Sequence, residues 1–135
     1  MPNTAATLQR AAHLISHRGL HTGTQFVDRA TLGVDICAAI YIAAEGICPD
    51  EFLTDEDASI SLIQASARSM LAIQAVSKSF PTGPPVTEIC PGHDVPDHIE
   101  HVCHWAMTGG RSASEVIGRI LRTAHSHATP QALAA

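Results

Sequence analysis

The sequence predicts an all-α protein, a compact bundle of about five helices. Apolar residues recur at spacings of three and four along most of the chain, which is the period of an amphipathic helix. Residues that begin or end helices bound these stretches, and alanine is frequent within them. A chain of 135 residues is long enough to bury one core. We therefore assign residues 1–127 to a single helical domain and residues 128–135 to a frayed C-terminal tail.

The first helix is predicted to begin at Thr4, because threonine is a residue type that caps helix N-termini. An apolar stripe then runs from Leu8 to Ile15 at helical spacing. Gly19 is placed to end the helix, since glycine adopts the left-handed backbone that commonly follows a last turn.

The second predicted helix covers residues 31–46, which are apolar almost all round. A helix that is apolar on every face is usually the buried centre of a bundle. A buried strand over residues 36–42 is the alternative, but the alanines and the stop at Gly46 favour a helix. Residues 47–53 are predicted to form a loop.

Three further helices complete the predicted bundle. Residues 54–79 begin with acidic groups, which favour the positive end of a helix dipole. A segment rich in proline and glycine, residues 81–85, breaks the chain, and a linker leads to the fourth helix, residues 96–107. The last helix begins at Ser112, which forms the capping-box pattern with Glu115.

Charge and targeting signals limit the classes of partner. The net charge is −5 with histidine neutral, the wrong sign for binding nucleic acid through its phosphates. No apolar run reaches the roughly 18 residues that span a bilayer, and the N-terminus lacks the pattern of a signal peptide. We therefore expect a cytoplasmic protein with reduced cysteines and with neither a nucleic-acid nor a membrane partner.

Residues 90–104 carry the densest group of side chains that could bind a metal. This segment holds two of the four cysteines and four of the nine histidines. Zinc takes four ligands from thiolates, imidazoles or carboxylates, often from a short chelating turn and a helix. The candidate metal ligands are Cys90, His93, His98 and His101. The first pair has chelating spacing on a turn, and the second lies one helical turn apart.

Metal-free packing is the favoured alternative for the same segment. On a helix, Ile99, Val102 and Cys103 lie on one face, which indicates a buried apolar stripe. His101 and His104 then fall on the opposite, solvated side. The spacing also departs from established zinc patterns. We therefore expect no cofactor, with zinc at the four candidate ligands as the alternative.

Two smaller features complete the survey of candidate sites. Residues 21–25 are polar and could line a small-molecule pocket, although such a turn more often satisfies backbone groups after a helix. Cys37 lies inside the apolar helix, where a thiol is expected to be inert. The sequence holds no catalytic motif, so no residue is predicted to be catalytic and the protein is not predicted to be an enzyme.

Four parts of the chain together resemble a known family: residues 19–26 (GLHTGTQF), residues 35–46 (DICAAIYIAAEG), Trp105 and residues 114–122 (SEVIGRILR). The family comprises small helical proteins of Streptomyces, its relatives and their phages, and is catalogued as a domain of unknown function. Its members commonly have Trp-Asn-Asp where this chain has tryptophan, alanine and methionine. The resemblance implies kinship but no substrate or cofactor.

The predicted function is that of a small cytoplasmic helical protein with an interaction or regulatory role. Its partner is expected to be an unknown protein or a second copy of the chain, because no catalytic pattern points to a small-molecule reaction. The alternative is a zinc-type metal-binding protein with its site in residues 90–104.

Overall fold

A computed structural model describes residues 3–23, 25–108 and 110–134, with side chains described except at 87–89, 93–94 and 129–134. These residues form seven helices and one antiparallel two-stranded hairpin. The elements in chain order are α1 (Thr4–Arg18), α2 (Ile36–Glu45), α3 (Glu51–Thr54), α4 (Glu56–Ala65), α5 (Ala67–Lys78), β1 (Val86–Cys90), β2 (His93–Pro96), α6 (His98–Met107) and α7 (Ala113–Ala134).

The predicted all-α class is confirmed, but the predicted number of helices is slightly too low. The helix predicted over residues 54–79 is broken into α4 and α5 at Ser66, whose backbone is extended. The hydroxyl of Ser66 accepts a hydrogen bond from the backbone N–H of Ser69, so the same residue that ends α4 caps α5. The short α3 lies where a loop was predicted.

The predicted linker between the third and fourth helices contains the hairpin. Strand β1 pairs with β2 from Val86 opposite Pro96, and the register shifts between Glu88 and Cys90. The connecting turn passes through Gly92, whose φ of 82° suits glycine. The hairpin leads directly into α6.

Helix caps explain most of the observed boundaries. Asn3, rather than the predicted Thr4, caps α1 by accepting a hydrogen bond from the N–H of Ala6. The capping box of α7 is confirmed, because Ser112 and Glu115 each accept a hydrogen bond from the other's backbone N–H. Helix α7 continues past residue 127 to Ala134. The division into a domain and a tail at that residue stays a prediction.

Helix α2 is the buried centre of the bundle, as its composition predicted. Seven of its ten residues are buried: Ile36, Cys37, Ala38, Ala39, Ile40, Tyr41 and Ala44. Helices α1, α4, α5 and α6 all pack against it. Its alanines keep the helix narrow, so that neighbours approach from several sides. No helix in the described ranges is both long enough and apolar enough to cross a membrane.

Because α2 lies at the centre of the bundle, removing one of its core side chains should strongly destabilise the protein. Replacing the fully buried Ile40 by alanine should lower the free energy of unfolding by about 2–5 kcal/mol, because the contacts on several helices cannot all be replaced. The matched control is Ile47→Ala, since Ile47 is 60% exposed and should change stability by less than about 0.5 kcal/mol. Urea denaturation of both variants measures the difference, and equal effects would contradict this packing.

Candidate functional site

The loop between α1 and α2 places a carboxyl group at the start of the central helix. The start and the end of this loop lie side by side, because the N–H of His21 donates a hydrogen bond to the carbonyl of Val34. The N–H of Asp35 then donates to the carbonyl of Phe26 at 2.7 Å, which fixes the chain as it enters α2. Oδ1 of Asp35 accepts hydrogen bonds from the N–H groups of Cys37 at 2.7 Å and Ala38 at 3.4 Å. Asp35 is therefore the N-cap of α2.

Two thiols lie beside this carboxylate. Cys37 is on the first turn of α2, and Cys103 comes from the face of α6 that packs against it. The Sγ atom of Cys103 is 3.5 Å from Sγ of Cys37 and 3.7 Å from Oδ1 of Asp35. One ligand atom from each of the three residues lies within 4.8 Å of the other two. Within the described residues this is the one group of three or more such side chains close enough to hold a metal ion.

Burial and hydrogen bonding together set the pKa values of the three groups. Desolvation raises the pKa of Asp35 to about 6, although hydrogen bonds from the N–H groups of Cys37 and Ala38 oppose it. The hydrogen bond with Cys37, followed by desolvation, raises the pKa of Cys103 well above its usual range. The hydrogen bond from Cys103 lowers the pKa of Cys37, but burial and the Asp35 charge outweigh it and raise that pKa overall. Without a cation, both thiols are therefore protonated and unreactive at neutral pH.

A cavity of about 280 Å³ opens onto this group. Asp35 and Cys103 form part of its wall, whereas Cys37 lies behind them. The polar segment after α1 contributes Thr22, Gly23 and Gln25 to this wall, and a role of that segment in binding a small molecule stays a prediction. The remaining lining residues come from α4, α6 and the loop before α2: Phe26, Glu56, Ile60, Ile99, Glu100 and Met107.

The sequence-predicted zinc ligands are placed differently from this group. His98 and His101 do come together, since each Nδ1 atom lies within hydrogen-bond distance of the Ser77 hydroxyl, at 2.9 Å and 2.6 Å. Cys90 is an exposed free thiol at the end of β1. The side chain of His93 lies outside the described residues. Zinc binding by these four residues stays a prediction.

The expected orientation of α6 is correct in part. Ile99 and Val102 are buried and His104 is exposed, as the helical periodicity predicted. His101 was expected on the solvated side, and this is wrong: it is buried, with its ring edge-on to Phe80. The end of α5 and the segment after it cover this side of α6, since the Ser77 hydroxyl and the Phe80 ring contact His101.

Sequence reasoning missed the group formed by Asp35, Cys37 and Cys103. The two thiols are 66 residues apart in the chain, so no local spacing relates them. A partial signal existed in the order Asp-Ile-Cys at residues 35–37, where a carboxylate and a thiol begin an otherwise apolar helix. Only the packing of α6 on α2 supplies the second thiol.

The raised pKa of Asp35 predicts how stability depends on pH in the metal-free protein. Its carboxyl has an ordinary pKa of 3.8, against about 6 in the folded state, so folding favours the protonated form. The stability from this preference is fully present below pH 3.8 and is lost as the pH rises through 6. Asp35→Asn keeps a capping acceptor and cannot ionise. It should exceed the wild type in stability by up to about 3 kcal/mol at pH 8 and by little at pH 4.

Urea denaturation with a chelator present measures this difference at both pH values. The matched control is Asp28→Asn, because hydrogen bonds from the Ala30 N–H and the Thr31 hydroxyl lower the pKa of the Asp28 carboxyl. That variant should be less stable than the wild type at pH 8, with the gap closing as the pH falls. A stability difference for Asp35→Asn that does not change with pH would contradict the burial of its charge.

Comparison with known proteins gives a family but no described activity. No curated protein and no solved structure matches the chain significantly. One family does match, over residues 1–126, and is described as a family of unknown function. This match agrees with the resemblance seen in the sequence, while the actinobacterial and phage origin stays a prediction. The chain belongs to this family, DUF6197.

Proposed function

We propose that the protein binds one divalent transition-metal ion of the zinc class through Asp35, Cys37 and Cys103. The observation that supports this is the spacing of the three ligand atoms, which all lie within 4.8 Å of one another and of which two separations match zinc closely. Tetrahedral zinc with Zn–S bonds of 2.3 Å and a Zn–O bond of 2.0 Å separates two sulfurs by about 3.8 Å and a sulfur from an oxygen by about 3.5 Å. The distances of 3.5 Å between the sulfurs and 3.7 Å between Cys103 Sγ and Asp35 Oδ1 are close to both values.

The charges of Asp35, Cys37 and Cys103 also favour a divalent cation as the ligand. Three acidic groups share a buried site whose described residues offer no lysine, arginine or histidine to them. In the metal-free protein burial penalises their charged forms, so both thiols stay protonated and the pKa of the Asp35 carboxyl is raised to about 6. A bound divalent cation reverses that penalty, since coordinated thiols lose their protons outright. Metal binding therefore releases protons and strengthens as the pH rises.

Three protein ligands leave one position of a zinc tetrahedron to fill. Asp35 and Cys103 border the cavity, so the fourth position would face it rather than the fully buried side of Cys37. Glu100 lies on the cavity wall one helical turn before Cys103 and is the nearest further acid on α6. Occupation of that position by Glu100 would make the site structural, and occupation by water would leave it open to exchange.

The metal proposal predicts about one equivalent of zinc in untagged protein purified without chelators. Cobalt(II) should replace it and give a thiolate-to-cobalt charge-transfer band. Cys37→Ser and Cys103→Ser should each lose the band and most of the metal, because a hydroxyl is a far weaker ligand than a thiolate. Cys48→Ser and Cys90→Ser are the matched controls, since neither thiol touches the site, and both should retain metal. Elemental mass spectrometry and absorption spectroscopy measure these outcomes.

The wild type alone can contradict the proposal, whatever the variants do to folding. If the purified wild type contains only trace metal and shows no absorption band after cobalt(II) is added, the metal proposal is wrong. Metal that is lost in Cys90→Ser but kept in Cys37→Ser would instead favour the set Cys90, His93, His98 and His101 in the hairpin and α6. Chelation should also lower the melting temperature, because metal-binding energy is coupled to folding.

We further propose that the protein acts in the cytoplasm as a small helical interaction or regulatory protein. A reducing compartment supports the metal site, because Cys37 and Cys103 must stay as thiols to bind an ion. Light scattering of metal-loaded and metal-free protein tests self-association, and cross-linking in cells tests for another partner. A strictly monomeric protein that cross-links to nothing would count against this wider role.

A further inference from the structure

The cavity beside Asp35 is large enough for an organic molecule. Its volume of about 280 Å³ is nearly twice that of the roughly 150 Å³ engineered cavity that holds benzene in another protein. Much of its wall is apolar, from Phe26, Ile60, Ile99 and Met107. Such a wall binds the hydrocarbon part of a ligand, and the few polar groups among it set the ligand's orientation.

The ionisable groups on this wall all have one sign. Asp35, Glu56 and Glu100 line the cavity, and among the described residues no lysine, arginine or histidine does. Asp35 is only 5% exposed, whereas the two glutamates are at the exposed rim. A cationic ligand is therefore attracted from the rim inward, and an anionic one is repelled along the same path.

One buried acceptor on the wall lacks a donor among the described residues. Oε1 of Gln25 is buried with no hydrogen-bond partner in the described part of the chain. The hydrogen bonds to the Asp35 carboxyl from the N–H groups of Cys37 and Ala38 and from the Cys103 thiol all end on Oδ1. Buried acceptors normally have donors, so a ligand here should bring N–H groups of its own.

We propose that this cavity is a binding site for a small primary amine in its ammonium form. The ammonium group donates to Oδ2 of Asp35, and its three N–H donors allow Gln25 and one glutamate to share it. The hydrocarbon part packs against Phe26, Ile99 and Met107. The inference does not depend on the metal, because the Cys103 thiol contacts Oδ1 of the carboxylate and the amine uses the other oxygen.

The test uses three probes of similar shape that differ in charge: 2-phenylethylamine, 2-phenylethanol and 3-phenylpropanoate. Isothermal titration calorimetry on the full chain, with a chelator present, measures each affinity. We expect the amine to bind at least about tenfold more tightly than the alcohol, since a partly buried charge pair exceeds the about fivefold of an exposed one. The carboxylate should bind more weakly than the alcohol.

Variants locate the binding at this cavity. Glu56→Gln and Glu100→Gln should each weaken the affinity for the amine by about fivefold and leave the affinity for the alcohol unchanged. Asp57→Asn is the matched control, because it removes the same charge from the next residue of α4, which does not line the cavity. It should change the amine affinity by less than about twofold.

The NMR resonances of the methionine methyl groups can locate the bound amine in the wild-type protein, without any substitution. Met107 lines this cavity, and Met70 lies elsewhere, near His98. Saturating amine should shift the Met107 methyl resonance and leave that of Met70 in place. Equal affinities for the three probes, or equal losses in Glu56→Gln and Asp57→Asn, would overturn the assignment. The chelator removes metal from this experiment, so the two proposals are tested independently. Absence of amine binding would not contradict the metal site, and absence of a cobalt band would not contradict the amine site.

Discussion

The hydrogen bonds of one buried carboxylate organise the part of the molecule that carries its chemistry. Asp35 ends the loop after α1 and begins α2, the helix on which most of the bundle packs. Its backbone N–H is held by the carbonyl of Phe26 and its Oδ1 by the first turn of α2. An asparagine would supply the same cap with no charge to bury, so capping alone does not require the acid. Burial raises the pKa of this acid to about 6, which makes the site responsive to protons and cations.

The same cap fixes the geometry of the thiols. Because α2 must begin at Ile36, Cys37 falls on its first turn and points toward α6 rather than into solvent. Helix α6 presents Cys103 because the buried Ile99 and Val102 set its rotation against the core. Cys37 is fully buried, so its thiol cannot move without displacing a buried neighbour. A preformed set of ligands loses less entropy on binding an ion than a flexible loop does, which is the general advantage of preorganisation.

The contrast between what the sequence predicted and what it missed follows from the range of the interactions. Periodicity and composition located α2 and α6 because those signals come from neighbouring residues. The break at Ser66 was missed because serine is tolerated within helices as well as at their caps, so a single serine does not decide between them. The hairpin was taken for a linker since its strands are short and their proline-rich flanks indicate loops. The meeting of Cys37 with Cys103 depends on packing across 66 residues, for which a single sequence holds no signal.

The two proposals for the site arise from one imbalance of charge. Around the cavity the described residues supply three carboxyl groups and no basic side chain, and behind it lie two thiols. Such a group has two ways to avoid uncompensated buried charge: it can hold its protons, or it can accept a cation from outside. The first leaves Oε1 of Gln25 without a donor among the described residues. The second supplies a donor where the cation is an ammonium group. Metal at the sulfur side and ammonium at the cavity side are the two cations whose chemistry matches the atoms on each face.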